Sequence, residues 1–279
     1  RHASRCAKAV DDGTHATIAR MPQPIPLDVP RLRHECQRCS LRELCLPAGI
    51  TPEAVQQLDD IVRRRRPLAR GDHLFRVGDP LRAVYVARDG AFKTVVVSED
   101  GEEQVIGFHL PGELVGLDAL GSGSHRCDAV ALDGSNVCEV PFEELASVAA
   151  RVPGLQAQLL RVIGRGVERD QDHFELLLRR QAGERIAMFV NGLAARYGQI
   201  GQSVACIRLP MSRDDIARYL GLALETVSRA FGRLQDDGVI AVHGRQVEIV
   251  DPVRLERLAH GTSAAPDPVR PKLAGNRAR

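Results

Sequence analysis

Three cysteines within ten residues, in Cys36-Gln37-Arg38-Cys39-Ser40-Leu41-Arg42-Glu43-Leu44-Cys45, constrain this chain more than any other stretch. Thiols spaced C-x2-C-x5-C can converge on one metal centre before a fold gathers them. A tetrahedral site needs a fourth ligand from elsewhere. Spacing leaves it open among Cys6, Cys127, Cys138, Cys206 and histidines such as His34. Other uses of these thiols carry less. A disulfide needs an oxidising compartment, and the apolar residues of the N-terminal segment are scattered and interrupted by arginines, unlike a secretory leader. A lone C-x2-C redox pair normally opens a helix in a βαβ setting, and no such setting surrounds it. A metal or cluster is therefore the expectation, with zinc among the candidates.

Length and charge set the outer limits. The chain's 279 residues, 44% of them hydrophobic, suffice for two modest domains with a sizeable core. No run of about 18 apolar residues exists, so no membrane-spanning helix is expected. A formal net charge of +2 does not by itself argue for nucleic acid, so any basic surface must be local. Thiols without an export signal lead us to expect a cytoplasmic protein.

Along the chain, residues 1–30 are rich in Ala, Pro and Arg and read as a disordered tail. Residues 31–50 form the cysteine-rich loop. Thr51-Pro52 opens a helix, with Thr51 as N-cap, Pro52 at the first helical position, and Val55, Leu58, Ile61 and Val62 as its apolar stripe. After Arg63-Arg64-Arg65-Arg66 the pattern turns to short strands. Val84–Val86, Phe92–Val97 and Val137–Val140 are separated by glycines, with hairpin signals at Asp89-Gly90 and Asp100-Gly101. An antiparallel barrel or jelly roll over about 67–142 follows, inside a sensor domain of 51–145.

A helix is expected over 146–180. Its Leu160, Ile163, Val167, Asp170, Phe174 and Leu177 recur at alternating steps of three and four, a heptad seam containing one acid. Periodicity leaves both a homodimer contact and packing on the chain's own barrel open. Residues 181–250 read as a winged helix-turn-helix. Ser212 and Asp215 form a capping box, Gly221 makes the turn, a second helix runs over Leu224–Gln235, and the wing spans Val239–Val250. On the second helix Glu225, Ser228 and Arg229 share one face and suit base edges. Within this turn-and-wing context double-stranded DNA is the expected partner. Residues 251–279 read as a tail that frays after a short helix.

Four stretches taken together resemble the Crp/Fnr superfamily of transcription regulators, in its oxygen-sensing, fumarate and nitrate reduction (FNR) group. They are the cysteine run, Gly107–Gly116, Val137–Phe142 and Glu225-Thr226-Val227-Ser228-Arg229. The resemblance implies an α+β architecture: a cyclic-nucleotide-binding-like antiparallel jelly roll, a long dimerisation helix and a C-terminal winged helix-turn-helix. It implies a [4Fe–4S] cluster on Cys36, Cys39, Cys45 and Cys138, choosing Cys138 where spacing could not. It also implies a homodimer whose switch lies at Ile163, Val167 and Asp170, and reading of palindromic TTGAT-like sites by Glu225, Ser228 and Arg229. RNA polymerase is implied as a partner through the loop Ser98–Glu102. Leu44 and Leu46, flanking Cys45, are expected to limit oxygen access. The chain departs from the family at Ala223, where a capping hydroxyl is usual. It departs again at His125-Arg126-Cys127, where cyclic-nucleotide-binding relatives carry an Arg-Ser pair. A nucleotide-responsive regulator using Glu113 and Arg126, or a zinc or thiol-redox protein using Cys36 and Cys39, are the alternatives; an enzyme is not expected.

Overall fold

The computed structural model describes residues 36–64 and 67–260. The expected N-terminal tail, Cys6, His34 and residues 261–279 lie outside the described residues. Helix α1, Pro52–Ile61, begins where the Thr51 hydroxyl accepts the Ala54 N–H at 3.4 Å. It buries Ala54, Val55 and Leu58. Behind it stand two antiparallel four-stranded sheets. The strands are β1 Arg63–Arg64, β2 His73–Phe75, β3 Ala83–Asp89, β4 Phe92–Val97, β5 Glu103–His109, β6 Leu114–Val115, β7 Asp128–Ala131 and β8 Asn136–Pro141. The first sheet has the order β1-β8-β3-β6 and the second β2-β7-β4-β5.

Strand β3 shows why the sequence reads as a continuous apolar run. Ala83, Tyr85 and Ala87 face the second sheet, while Val84 and Val86 face the helices, so both sides are buried. The Asp100-Gly101 signal does form a hairpin, with Val97 opposite Glu103. Asp89-Gly90 does not. Strands β3 and β4 belong to different sheets, and a side chain at Gly90 would collide with Ser135 and with the Gly134 carbonyl. Asp89 binds the Asn136 side chain instead, so this turn carries the chain from one sheet to the other.

The long helix is shorter than expected. Helix α2, Phe142–Arg151, is separate from α3, Pro153–Leu178. Proline disfavours the helical conformation in the residue before it, and Val152 is extended at φ −121° and ψ 90°. The C-terminal domain comprises α4 Ala182–Gln199, β9 Cys206–Arg208, α5 Arg213–Leu220, α6 Leu224–Asp236, β10 Ile240–His243, β11 Gln246–Ile249 and α7 Pro252–Ala259. It reaches beyond residue 250, where the tail was expected to start. The Asp251 side chain caps α7, and Leu255 and Ala259 are buried in the domain's core.

The two halves share that core. Val105 and Phe108 of β5 join Leu176 of α3, Phe189 of α4 and the helix-turn-helix in one apolar cluster. Polar ties reinforce it. Lys93 meets Asp215 at 2.7 Å, and His173 stacks on Tyr219 at 3.8 Å while bonding to its main-chain oxygen at 2.7 Å. Among the described residues no helix is long and apolar enough to cross a membrane.

Candidate metal centre and nucleic-acid interface

The cysteine loop folds over the outer face of the first sheet. Cys36–Arg38 make a 3₁₀ turn beside α1, with the Cys36 N–H donating to Asp59 Oδ1 at 3.0 Å. Helix α3 fixes the other end. Gln158 Nε2 donates to the Cys45 carbonyl at 2.9 Å, and Arg165 Nη2 to the Leu44 carbonyl at 3.3 Å. Strand pairing decides which distant cysteine faces this loop. Cys138 on β8 sits opposite Val86 of β3 and Arg64 of β1, and packs with the helix-side cluster. Cys127 lies 2% exposed in the core between the two sheets, where its thiol donates to Asp118.

Cys36, Cys39, Cys45 and Cys138 thus line one cavity, walled by Leu41, Leu46, Leu58, Val62, Val86 and Val140. Val62 and Val86 were legible as a helix stripe and a strand but not as parts of this wall, and Leu41 had no sequence signal beyond being apolar. Leu46 forms part of the wall, and Leu44 lies beside Gly112. Three arginines surround the thiols. Arg88 and Arg64 act on Cys138, and Arg165 acts on Cys45.

Burial makes Cys36, Cys45 and Cys138 reluctant to ionise. It pushes Cys45 up to about 12, its hydrogen bond to the Leu46 backbone opposing. It raises Cys36, helped by the hydrogen bond and negative charge of Asp59, and raises Cys138 against the pull of Arg88. Thiols gathered around an apolar space suit a ligand that brings its own positive charge and displaces their protons. Among the described residues no three His, Cys, Asp or Glu side chains form a site for a single metal ion. What the thiols share is one apolar-walled space, and four thiols are a donor set suited to thiolate-bound metal chemistry.

The second candidate surface is α6. The capping box of α5 is present, with Ser212 Oγ accepting the Asp215 N–H and Asp215 accepting the Ser212 N–H. Gly221 ends α5 in the left-handed region at φ 62°. Val227, Ala230, Phe231 and Leu234 bury one side of α6. Glu225, Ser228 and Arg229 are exposed together on the other. The guanidinium of Arg229 rests against the Glu225 main-chain oxygen at 3.3 Å. Arg233, one turn on, extends this face and had not been singled out. As read from the sequence, Ala223 provides no side-chain cap. The wing is the β10–β11 hairpin, turning at Gly244.

The third surface is the seam of α3. In the single chain Leu160, Val167 and Phe174 are 64, 51 and 65% exposed. Ile163 and Leu177 are half-buried, and Asp170 is exposed beside them. The stripe's outer residues are therefore not used for packing on the chain's own barrel. Burial raises the Asp170 carboxyl, with Arg169 and His173 opposing.

Of the residues assigned to the nucleotide alternative, Glu113 is held by Arg196, whereas Arg126 is exposed and only its main-chain N–H is engaged, donating to Asp118 at 2.7 Å.

Comparison with known proteins follows the same division. Residues 184–258 match a Crp-like helix-turn-helix domain, and residues 65–152 a cyclic nucleotide-binding domain. The transcriptional activator protein Anr of Pseudomonas protegens is 47% identical over 87% of this chain and 99% of its own. The fumarate and nitrate reduction regulatory protein of Escherichia coli K12 is 43% identical, covering 81% and 91%. Among solved structures, FixK2 from Bradyrhizobium japonicum superposes with a TM-score of 0.66 at 31% identity, over 74% of this chain and 99% of that one.

Proposed function

The chain belongs to the Crp/Fnr family of DNA-binding transcription regulators, and on that footing we propose that it is an oxygen-responsive member that works as a homodimer. The observation that carries this reading is the shared cavity of Cys36, Cys39, Cys45 and Cys138. These four thiolates would hold a [4Fe–4S] cluster, whose reaction with oxygen supplies the signal. Leu46 and the apolar wall limit access to it. Gln158 and Arg165 tie the loop to α3, so a loop that changes shape pulls on the helix that carries the seam.

Along that seam Leu160, Val167 and Phe174 offer apolar surface to a second copy, while two Asp170 carboxylates oppose association. A contact so balanced lets a modest bias move a large population. In the dimer, two α6 helices enter successive major grooves about 34 Å apart. Arg229 donates to guanine, Glu225 accepts from cytosine and Ser228 adapts, on palindromic TTGAT-like sites. The exposed hairpin Ser98–Glu102, closed by the Ser98 N–H donating to the Glu102 carbonyl at 3.0 Å, is the surface for RNA polymerase. The reading supplies no catalytic role, and residues 36–50, 51–145, 153–178 and 182–259 act as loop, sensor, dimer helix and DNA reader.

Iron and acid-labile sulfide counted after anaerobic purification test the reading. About four of each per protomer are expected. A colourless protein carrying zinc, or no metal, would overturn it. The nucleotide-responsive alternative is less favoured because Glu113 already serves Arg196.

A further inference from the structure

Glu113 sits where three parts of the molecule meet. It follows Gly112, which adopts φ 89° beneath the cysteine loop, with Leu44 and Leu41 as its nearest side chains. From α4, Arg196 donates Nε to Glu113 Oε1 at 2.9 Å and Nη2 to Oε2 at 2.6 Å. The same Nη2 reaches the Phe108 carbonyl at 2.5 Å. From α3, Arg169 stands 3.8 Å from Glu113 Oε1, one residue before Asp170 of the seam. The Glu113 N–H donates to Leu110 O, and Glu113 Oε2 accepts the Leu110 N–H, so the carboxylate is fixed to its own turn.

A paired arginine and carboxylate buried between domains is a stiff link, because either charge left alone there is costly. We propose that Glu113 is the joint through which the cysteine loop acts on the DNA-binding domain. A loop that moves Leu44 moves the Gly112-Glu113 turn. Glu113 carries Arg196, and with it α4 and the helix-turn-helix packed on α4. Arg169 passes the same displacement to the seam. Glu113 is a positioning residue; it touches neither the thiols nor DNA. This inference rests on the cluster reading above.

The test compares wild type with Glu113→Gln, which keeps the shape of the side chain and an acceptor for Arg196. Iron content, dimerisation and DNA affinity are measured on anaerobic protein, and DNA affinity again after exposure to air. The variant should keep its iron, while the ratio of anaerobic to aerated affinity falls by about 5- to 150-fold, the span of typical coupling energies. Arg196→Gln should lower the ratio similarly, and the double variant no further than either single one. Arg196→Lys, which keeps the charge without the paired bonds, serves if a glutamine variant does not fold, with a lowered ratio expected again. An unchanged ratio with iron retained, equal losses of affinity in both states, or additive losses in the double variant would each overturn the joint. A wild type without iron would sink the cluster reading and the joint with it, and that result appears in the wild-type sample before any variant is compared.

Discussion

Replacing Phe174 by alanine should weaken the dimer far more than its position on a solvent-exposed helix suggests. The side chain is 65% exposed in the single chain. Burying a whole phenylalanine is worth about 1.5–3 kcal/mol, so hiding two thirds of one contributes about 1–2 kcal/mol per protomer and about 2–4 kcal/mol per symmetric dimer. Differences between variants follow such area arguments better than absolute affinities do. At 1.4 kcal/mol per decade the dimer dissociation constant should rise about 30- to 700-fold. Val253 on α7 is the control, since it is 63% exposed but lies away from the seam. Sedimentation equilibrium on anaerobic protein reads both. If Phe174→Ala associates within about threefold of wild type, or if Val253→Ala weakens association equally, α3 is not the dimer contact and the reasoning fails.

Asp170→Ala should let cluster-free protein dimerise in air, read by sedimentation beside wild type; identical behaviour of the two would remove Asp170 from the switch. Burial already raises this carboxyl, and a second copy raises it further, so the dimer binds more protons than two monomers and association should strengthen as pH falls. Cys138→Ser should lose its iron, whereas Cys127→Ser, altered in the core between the sheets, should keep its iron and melt at a lower temperature; the reverse pattern would exchange the two cysteines. Burial holds His109 down to about 4 against an ordinary 6.5. The unfolded chain therefore takes a proton that the folded one refuses, and about 3 kcal/mol of stability should disappear as pH falls from about 6.5 to about 4. Urea melts of wild type and His109→Gln check this, since a variant with the same pH slope would show that His109 is not responsible.

The parts legible in the sequence were those whose signal is local. Thr51-Pro52 and the Ser212–Asp215 capping box rest on contacts between residues three apart, and both form as read. The seam was visible as a period, but only its exposure in the folded chain shows that the barrel leaves it uncovered. Asp89-Gly90 misled because a hairpin signal records a tight turn, not which sheet each strand joins. The helix break at Pro153 was legible in principle, since proline constrains Val152 before it. Distant contacts left no such trace. Spacing could not separate Cys138 from Cys127; the face of β8 that bears Cys138 does so, and that face is set by pairing with β3 and β1. Glu113 was legible only as part of the nucleotide-responsive alternative, whereas its partner Arg196 lies on another domain and becomes visible only when the two domains pack.

The most direct measurement is the DNA affinity of one anaerobically purified sample, taken before and after air is admitted, with cluster absorbance followed in the same cuvette. The account expects tight binding to a palindromic TTGAT-like duplex while the cluster absorbs. It expects loss of that binding as the absorbance bleaches, and no such change in Cys138→Ser. Affinity that stays constant through bleaching would contradict it.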